Sequence, residues 1–254
     1  MVQDVKIRIE NFDLRYSDGK ESLKNISLDI YSNQINVLFG PGGGGKSSLL
    51  RAINRLNDLT DVVAQKGQIL IDGEDIYDPD YDVIQLRQRV GIVFARPVPL
   101  PMSIYRNLSY GLELKGVREK KTLDNAVHRS LNQAALWDEV AERLDESAYA
   151  LSGGQQQRLC LARVLALEPE VIMLDEPTSG LDPISTAKVE RTLQDLKEHY
   201  TVIIVPHSVQ QAARIADWAA FMLQGELVEH GTGQSIFTAP KDTRTDEYIT
   251  GRFG

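Results

Sequence analysis

The segment Gly40-Pro-Gly-Gly-Gly-Gly45-Lys46-Ser47 constrains this chain more than any other part of it. Its spacing is G-x-x-x-x-G-K-[ST], and its flanks give that spacing meaning. The apolar run Ile35-Asn-Val-Leu-Phe before it reads as a strand, and Ser48-Leu-Leu-Arg-Ala-Ile after it opens a helix. Glycines let successive backbone N–H groups turn toward one anion, and the following helix adds the positive end of its dipole. Gly40, Pro41, Gly42, Gly43, Gly44, Gly45 and Ser48 are therefore expected to wrap the phosphates of a nucleotide. Lys46 would reach the β- and γ-phosphates, and the Ser47 hydroxyl would ligate Mg2+. A flexible glycine turn explains the glycines, but not the strand, the Lys-Ser pair and the helix together.

The rest of the chain fits an α/β fold around that loop. Val5–Glu10 and Ile26–Ile30 alternate apolar and polar, Gln68–Gly73 is a strand ending in a turn, and Gly91-Ile-Val-Phe stops at the proline-rich Pro97–Pro101. From Ile104 to about Leu167 the apolar period is helical. Val171-Ile-Met-Leu and Thr201-Val-Ile-Ile-Val are unbroken apolar runs with helical sequence between them, as suits a parallel sheet covered on both faces. Trp218–Leu223 and Glu226–Glu229 flank Gln224-Gly225 as a hairpin.

Composition excludes several classes. The 254 residues are 42% hydrophobic and 25% charged, which is globular. Lys and Arg number 28 against 36 Asp and Glu, a formal net charge of −8, so a nucleic-acid partner is not expected. The longest apolar runs fall far short of the roughly 18 residues of a membrane span. The start, Met1-Val-Gln-Asp-Val-Lys6, carries no apolar stretch of the secretory kind. With one cysteine, Cys160, no internal disulfide forms. A soluble cytoplasmic chain is expected.

Two further segments carry chemistry. Val171–Leu174 runs into Asp175-Glu176, which places two carboxylates at the C-terminal end of a strand, where α/β sheets bind ligands. Asp175 would hold Mg2+, and Glu176 would polarise or deprotonate an attacking water. An acidic turn after a strand is common by itself; in the same chain as a phosphate loop it reads as the second half of a nucleotide site. Leu151-Ser152-Gly153-Gly154-Gln155 precedes an amphipathic helix, Gln155 to Leu167. Ser152 is a natural N-cap there, but the two glycines serve no capping need.

Together with Gln156-Gln-Arg158, that last segment resembles the signature of the ATP-binding-cassette ATPases. The resemblance covers essentially the whole chain and implies a P-loop ATPase core with an N-terminal antiparallel β subdomain and a helical insert. Residues 1–254 would form one cassette domain, 1–100 and 168–254 its RecA-like core and β subdomain, and about 101–167 its signature-bearing arm. It implies further roles. Tyr16 would stack on adenine, Ser179-Gly180-Leu181-Asp182 would be the loop that signals between two sites, and His207 would be the switch histidine at the γ-phosphate. Ser152, Gly153, Gly154 and Gln155 would bind the ATP held by a second copy in a head-to-tail dimer. His128, His199, His230 and Cys160 have no such placement and read as surface or core residues.

One position departs from the pattern. Ala95 stands in Val90-Gly-Ile-Val-Phe-Ala95-Arg-Pro, where the family usually has a glutamine that offers oxygen to Mg2+ and contacts the membrane partner. Alanine has neither donor nor acceptor, so that coordination position passes to water or phosphate. Pro206 before His207, where Thr is commoner, is a milder departure.

Met102–Asn107, Gln155–Cys160, Gln210–Arg214 and the tail Asp246–Gly254 are similar to the ATPase subunit of bacterial phosphate importers. This branch implies two integral membrane permease subunits, an extracytoplasmic solute-binding protein acting indirectly, and a peripheral position on the cytoplasmic face of the inner membrane. No residue could be assigned to the transported solute. An importer for another solute such as a polar amino acid, a low-turnover nucleotide-binding regulator and a non-transport cassette ATPase are the other readings. The last usually needs a second cassette or a long coiled-coil insertion, and neither is present.

Overall fold

The computed structural model describes residues 4–19 and 21–252. The first three residues of the amino-terminal segment and the last two of the Asp246–Gly254 tail lie outside the described residues. The chain begins with β1 (Val5–Tyr16) and β2 (Glu21–Tyr31), continues through β3 (Ile35–Phe39) and α1 (Lys46–Ile53), and returns to the first sheet with β4 (Val62–Ile71) and β5 (Glu74–Asp75). There follow α2 (Val83–Arg89), β6 (Val90–Val93), α3 (Ile104–Leu114), α4 (Lys120–Gln133), α5 (Trp137–Val140) and α6 (Gly153–Leu165). The chain ends with β7 (Val171–Asp175), α7 (Pro183–Leu196), β8 (Thr201–Val205), α8 (Val209–Ile215), β9 (Trp218–Leu223), β10 (Glu226–Thr232), α9 (Gly233–Thr238) and α10 (Thr243–Ile249).

The first sheet has the order β2-β1-β4-β5 and is antiparallel. The second has the order β10-β9-β3-β8-β7-β6; it is parallel from β9 to β6, with β10 antiparallel at its edge. The unalternating runs occupy its centre, and β3 and β8 are buried at every position. Successive side chains serve two cores. Ile172, Leu174, Val202 and Ile204 pack with the buried faces of α3, α4, α6 and α7. Val171, Met173, Ile203 and Val205 pack with α1 and the antiparallel sheet. Each such buried aliphatic side chain contributes roughly 1.5–3 kcal/mol over its exposed state.

Turns follow local chemistry. Gln224 and Gly225 both have positive φ, 50° and 85°, the geometry that the β9–β10 hairpin needs. Ser152 caps α6 with its hydroxyl on the Gln155 N–H, and the Gln155 side chain returns to the Ser152 N–H at 2.9 Å. The helical stretch after Ile104 is broken by turns at Gly116 and Ala135, the latter in the left-handed region at φ 51°. Asn36, polar in the middle of β3, is buried because its amide satisfies the Tyr31–Gln34 turn: Oδ1 accepts from Tyr31 N–H at 3.0 Å and Nδ2 donates to the Tyr31 and Gln34 carbonyls.

An ionic cluster joins the two sheets. Glu170 accepts from Arg89 Nε at 2.8 Å and Lys6 Nζ at 2.6 Å, and Asp72 accepts from the same two cations at 2.5 and 2.8 Å. The Arg89 guanidinium, helped by Lys6, holds the Glu170 carboxyl down to about 2. A depressed carboxyl pKa contributes stability that is complete above the unfolded value and disappears as pH falls toward about 2. Glu170→Gln is therefore expected to lower the urea midpoint at pH 7, with the gap to wild type closing between pH 4.5 and 2. Chemical denaturation across that range checks it.

Candidate nucleotide-binding site

The loop between β3 and α1 is lodged in backbone. Gly40, at φ 140°, faces the Met222 carbonyl of β9 so closely that a Cβ would overlap it. A Cβ on Gly44 would come to 2.8 Å of the same oxygen, and one on Gly45 (φ 98°) to 2.6 Å of the Ser22 carbonyl of β2. Gly43 has φ 75°. Gly42 alone in the run meets neither constraint, with nothing within 4 Å of its Cβ direction and an ordinary φ. The Gly225 N–H of the β9–β10 turn donates to the Gly44 carbonyl at 3.2 Å, supporting the loop from behind. The glycines thus do more than free N–H groups for an anion: three of them let two strands and a hairpin approach the loop.

Lys46 opens α1, and its ammonium donates to the Gly40 and Pro41 carbonyls at 2.8 and 2.9 Å. A lysine has three donors, so one remains for an anion in the loop. Burial lowers its pKa, opposed by the charges of Glu176 and Asp175. Both carboxylates thus act on the phosphate-loop cation.

They do so because of strand order. β3, β8 and β7 are neighbours, so the loops that leave their C-terminal ends lie side by side: the glycine loop, the His207 segment and Asp175-Glu176. Asp175 ends β7 opposite Val205. Glu176 is in the left-handed region at φ 47°, uncommon for a residue with a side chain. Its N–H donates to the Val205 carbonyl at 2.8 Å and its carbonyl accepts from Ser179 N–H at 3.0 Å. Ser22, Gly42 to Ser48 and Glu176 line one cleft. His207 is exposed at the end of β8, its N–H donating to Gln211 Oε1 at 3.0 Å.

Among the described residues no three His, Cys, Asp or Glu side chains form a metal cage. Mg2+ does not ask for one: it keeps several waters and takes one or two protein oxygens plus phosphates. The Ser47 hydroxyl in the cleft and the Asp175 carboxylate acting on Lys46 fit that donor set. Ala95 lies half-buried just past β6, and its methyl offers no oxygen.

The remaining expected site residues fall elsewhere. Tyr16 ends β1 half-buried, its hydroxyl donating to Asn57 Oδ1 at 2.9 Å and to Ser48 Oγ at 3.3 Å, which ties it to the first turn of α1. Ser152, Gly153, Gly154 and Gln155 do not line the cleft that holds their own chain's phosphate loop. Ser152 and Gly153 are exposed, and Gly154 sits against Ser185, where a Cβ would come to 2.8 Å of the Ser185 hydroxyl. Asp182 caps α7, accepting from the Ile184 and Ser185 N–H groups and from Ser185 Oγ at 2.6 Å, which lowers its pKa. His128 packs edge-on against Trp137, His230 packs beside the touching rings of Tyr31 and Trp218, and Cys160 is buried.

Several residues at the site had no signal in the sequence. Ser22 Oγ meets Ser48 Oγ at 2.7 Å, and Asn57, buried, donates from Nδ2 to the Ser48 carbonyl at 3.0 Å. Gln211 lies within Gln210–Arg214, which in sequence reads only as a branch marker.

A glycine loop that cradles anions ahead of a helix, facing strand-end carboxylates, defines a P-loop nucleoside-triphosphatase. The family model described as ABC transporter matches residues 23–179, and the chain belongs to that family. It is 54% identical over 252 residues to the phosphate import ATP-binding protein PstB of Shewanella denitrificans, covering 99% of this chain and 92% of that protein. It is likewise 54% identical over 253 residues to phosphate import ATP-binding protein PstB 2 of Aliivibrio fischeri, with the same coverage. Among solved structures, cbiO1 of Clostridium perfringens, part of the ABC transporter complex cbiONQ, superposes with a TM-score of 0.81 at 27% identity over 98% of this chain and 97% of that one. A bacterial Atm1-family ABC exporter with ATP bound gives 0.80 at 26% identity, over all of this chain and 43% of that one.

The glycines separate by function. Gly45→Ala must open the loop from β2 and is expected to abolish the rise in unfolding temperature that ATP causes. Gly42→Ala is expected to keep it. A thermal melt of each variant with and without ATP decides, and equal behaviour of the two would contradict the steric account.

Proposed function

We propose that this chain is the ATP-hydrolysing subunit of an importer for inorganic phosphate. The observation that carries hydrolysis is the single cleft lined by the phosphate loop and Glu176. The cargo rests on the near full-length similarity to two phosphate import proteins. Tyr16 would stack on the adenine, the N–H groups of Gly42 to Ser48 would cradle the phosphates, and Lys46 would neutralise the β- and γ-phosphates. Ser47 and Asp175 would hold Mg2+, which when bound supplies charge neutralisation at the transferring phosphoryl group. Glu176 orients and deprotonates the attacking water, and His207 meets the γ-phosphate from the adjacent strand end. Catalysis of this kind is positioning plus electrostatic stabilisation.

A second copy completes the site. Ser152 and Gly153 are exposed at the start of α6, Gly154 and Gln155 are half-buried behind them, and none of the four lines its own chain's cleft. That suits the segment to an ATP held by a partner, with the loop of Asp182 beside it. ATP would then supply contacts that exist only in the closed pair, shift the population toward closure, and release it after hydrolysis. Residues 1–100 and 168–254 would act as the nucleotide-binding core and about 101–167 as the arm. The exposed Phe94 and Val98, next to a largely apolar groove between β6, α3 and α6, would meet the two membrane permeases. A solute-binding protein would act through those permeases. Similarity to phosphate import ATP-binding proteins supports a peripheral position on the cytoplasmic face of the inner membrane; among the described residues no helix is long and apolar enough to cross a membrane.

Ala95 favours a second reading, a nucleotide-binding regulator with slow turnover. The two readings diverge in one comparison: Ala95→Gln is expected to raise kcat if the missing oxygen limits hydrolysis, and to leave it unchanged if water serves as well. Glu176→Gln is expected to retain ATP binding and lose about 100-fold or more in kcat, the usual scale for a positioned acid–base group. Wild-type turnover in that variant removes Glu176 from the chemistry. Uptake of labelled phosphate by phosphate-starved cells lacking this chain, restored by wild type and not by Lys46→Ala, tests the cargo. Normal uptake without the chain, in cells with no second copy, would leave an ATPase of another importer.

A further inference from the structure

The carboxylate loop after β7 and the histidine loop after β8 must hold one spacing if Glu176 and His207 are to meet the same γ-phosphate. Backbone pairing between the two strands ends with Glu176 N–H on the Val205 carbonyl. Past that point a single buried side chain bridges the loops. Gln211, in the first turn of α8, is 2% exposed. Its Oε1 accepts from the His207 N–H at 3.0 Å and from the Thr178 hydroxyl at 3.1 Å. Its Nε2 donates to Glu190 Oε1 at 3.1 Å, and Arg214 holds that carboxylate from α8 at 2.6 Å. The amide orientation is dictated by its neighbours: the His207 N–H can only donate to the oxygen and the Glu190 carboxylate can only accept from the nitrogen, so a flipped amide would oppose both, while the Thr178 hydroxyl adapts to either.

Thr178 is itself buried, two residues past the left-handed Glu176 and four before the Asp182 cap of α7. Gln211 therefore ties three things to one point: the backbone of His207, the segment between Glu176 and Asp182, and α7 through Glu190. A displacement of either loop would leave a buried acceptor or donor unmatched, and that penalty keeps the loops in step.

We propose that Gln211 is a positioning residue for ATP hydrolysis, setting the distance between the Glu176 and His207 loops. This rests on the assignment of those two residues to the γ-phosphate. Among the described residues the hydrogen bonds of Gln211 go to His207, Thr178, Ser208 and Glu190 and none to the phosphate loop, so its loss should act on turnover and spare nucleotide affinity.

The test uses the purified full-length chain with MgATP. Gln211→Glu keeps an acceptor for His207 and Thr178 but sets two carboxylates against each other at Glu190. It is expected to lower kcat about 10- to 100-fold, as small misplacements in a positioned site do, with KM for ATP held within about twofold. Adding Glu190→Gln returns a donor to face the new carboxylate and is expected to recover kcat to within about threefold of wild type, because the bridge is rebuilt with its polarity reversed. Thr178→Val and Gln211→Leu, combined, are expected to cost no more than the larger single change, since both cut the same link. A double variant that stays as slow as Gln211→Glu, a kcat that does not fall, or a KM that rises in proportion overturns the proposal. The Glu176→Gln control separates the two levels. If it turns over like wild type, the catalytic assignment fails and the proposal falls with it. If it is inactive while Gln211→Glu is fast, only the role of Gln211 fails.

Discussion

The structure depends on how closely backbone can approach the phosphate loop. Gly40 and Gly44 lie against the Met222 carbonyl, Gly45 lies against the Ser22 carbonyl, and Gly225 donates to the Gly44 carbonyl. The loop is therefore the place where both sheets and the β9–β10 hairpin meet, largely backbone against backbone. An anion cradle needs N–H groups that already point inward, because reorganising them on binding would cost much of what binding gains. Packing three backbone segments against the loop supplies that preorganisation. Its consequence is that the antiparallel sheet, from which only Tyr16 was read as a site residue in the sequence, supports the loop as well: Ser22 meets Ser48, and Tyr16 reaches Ser48 and Asn57.

On the other side of the cleft the same economy appears in strand order. Placing β8 between β3 and β7 brings three loops together without any long connection entering the core. Each loop then needs only a local device to aim its functional group. For Lys46 it is two loop carbonyls, for Glu176 a left-handed backbone, and for His207 the amide of Gln211. Strain at Glu176 is tolerated because its N–H and carbonyl are both engaged, on Val205 and Ser179.

Much of this was legible in the sequence, and the reason differs by element. The central strands were legible because burial on both faces demands unbroken apolar runs, and Ile35–Phe39 and Thr201–Val205 stand where the periodicity put them. The hairpin at Gln224-Gly225 and the cap at Ser152 were legible because only certain residues adopt those geometries. The short helices α2, α8, α9 and α10, of six or seven residues, carry too few turns for a period to register. Strand β1 was read too short because the positive φ of Asn11 shifts the alternation halfway along it. In the site, the linear motifs were visible and their supports were not. Ser22, Asn57, Met222 and Gln211 act through partners 26, 9 or up to 182 positions away, or through a backbone carbonyl, and no spacing rule encodes such contacts.

The arrangement of the signature segment carries the last step. Ser152 and Gln155 satisfy each other as a capping box, and Gln155 Nε2 also donates to Glu139 at 3.1 Å. Glu139 accepts from the buried Arg158 at 2.9 and 3.0 Å and from Lys188 of α7 at 2.6 Å, contacts that pull its carboxyl down to about 2. Gly154 packs on Ser185 one turn earlier in α7. The helix that begins at Ser152 is thus fastened to the helix that begins at Asp182, while Glu190 of that same helix is fastened to Gln211 and so to His207. α7 therefore lies between the two: Ser185 and Lys188 meet the signature helix on one side, and Glu190, on the opposite side, meets Gln211. From α7 the hydrogen bonds run through Gln211 to the His207 N–H and to the hydroxyl of Thr178, two residues past Glu176. The first two turns of α7 are thus held on two sides, by the helix that begins at Ser152 and by the side chain that links the loops after β7 and β8.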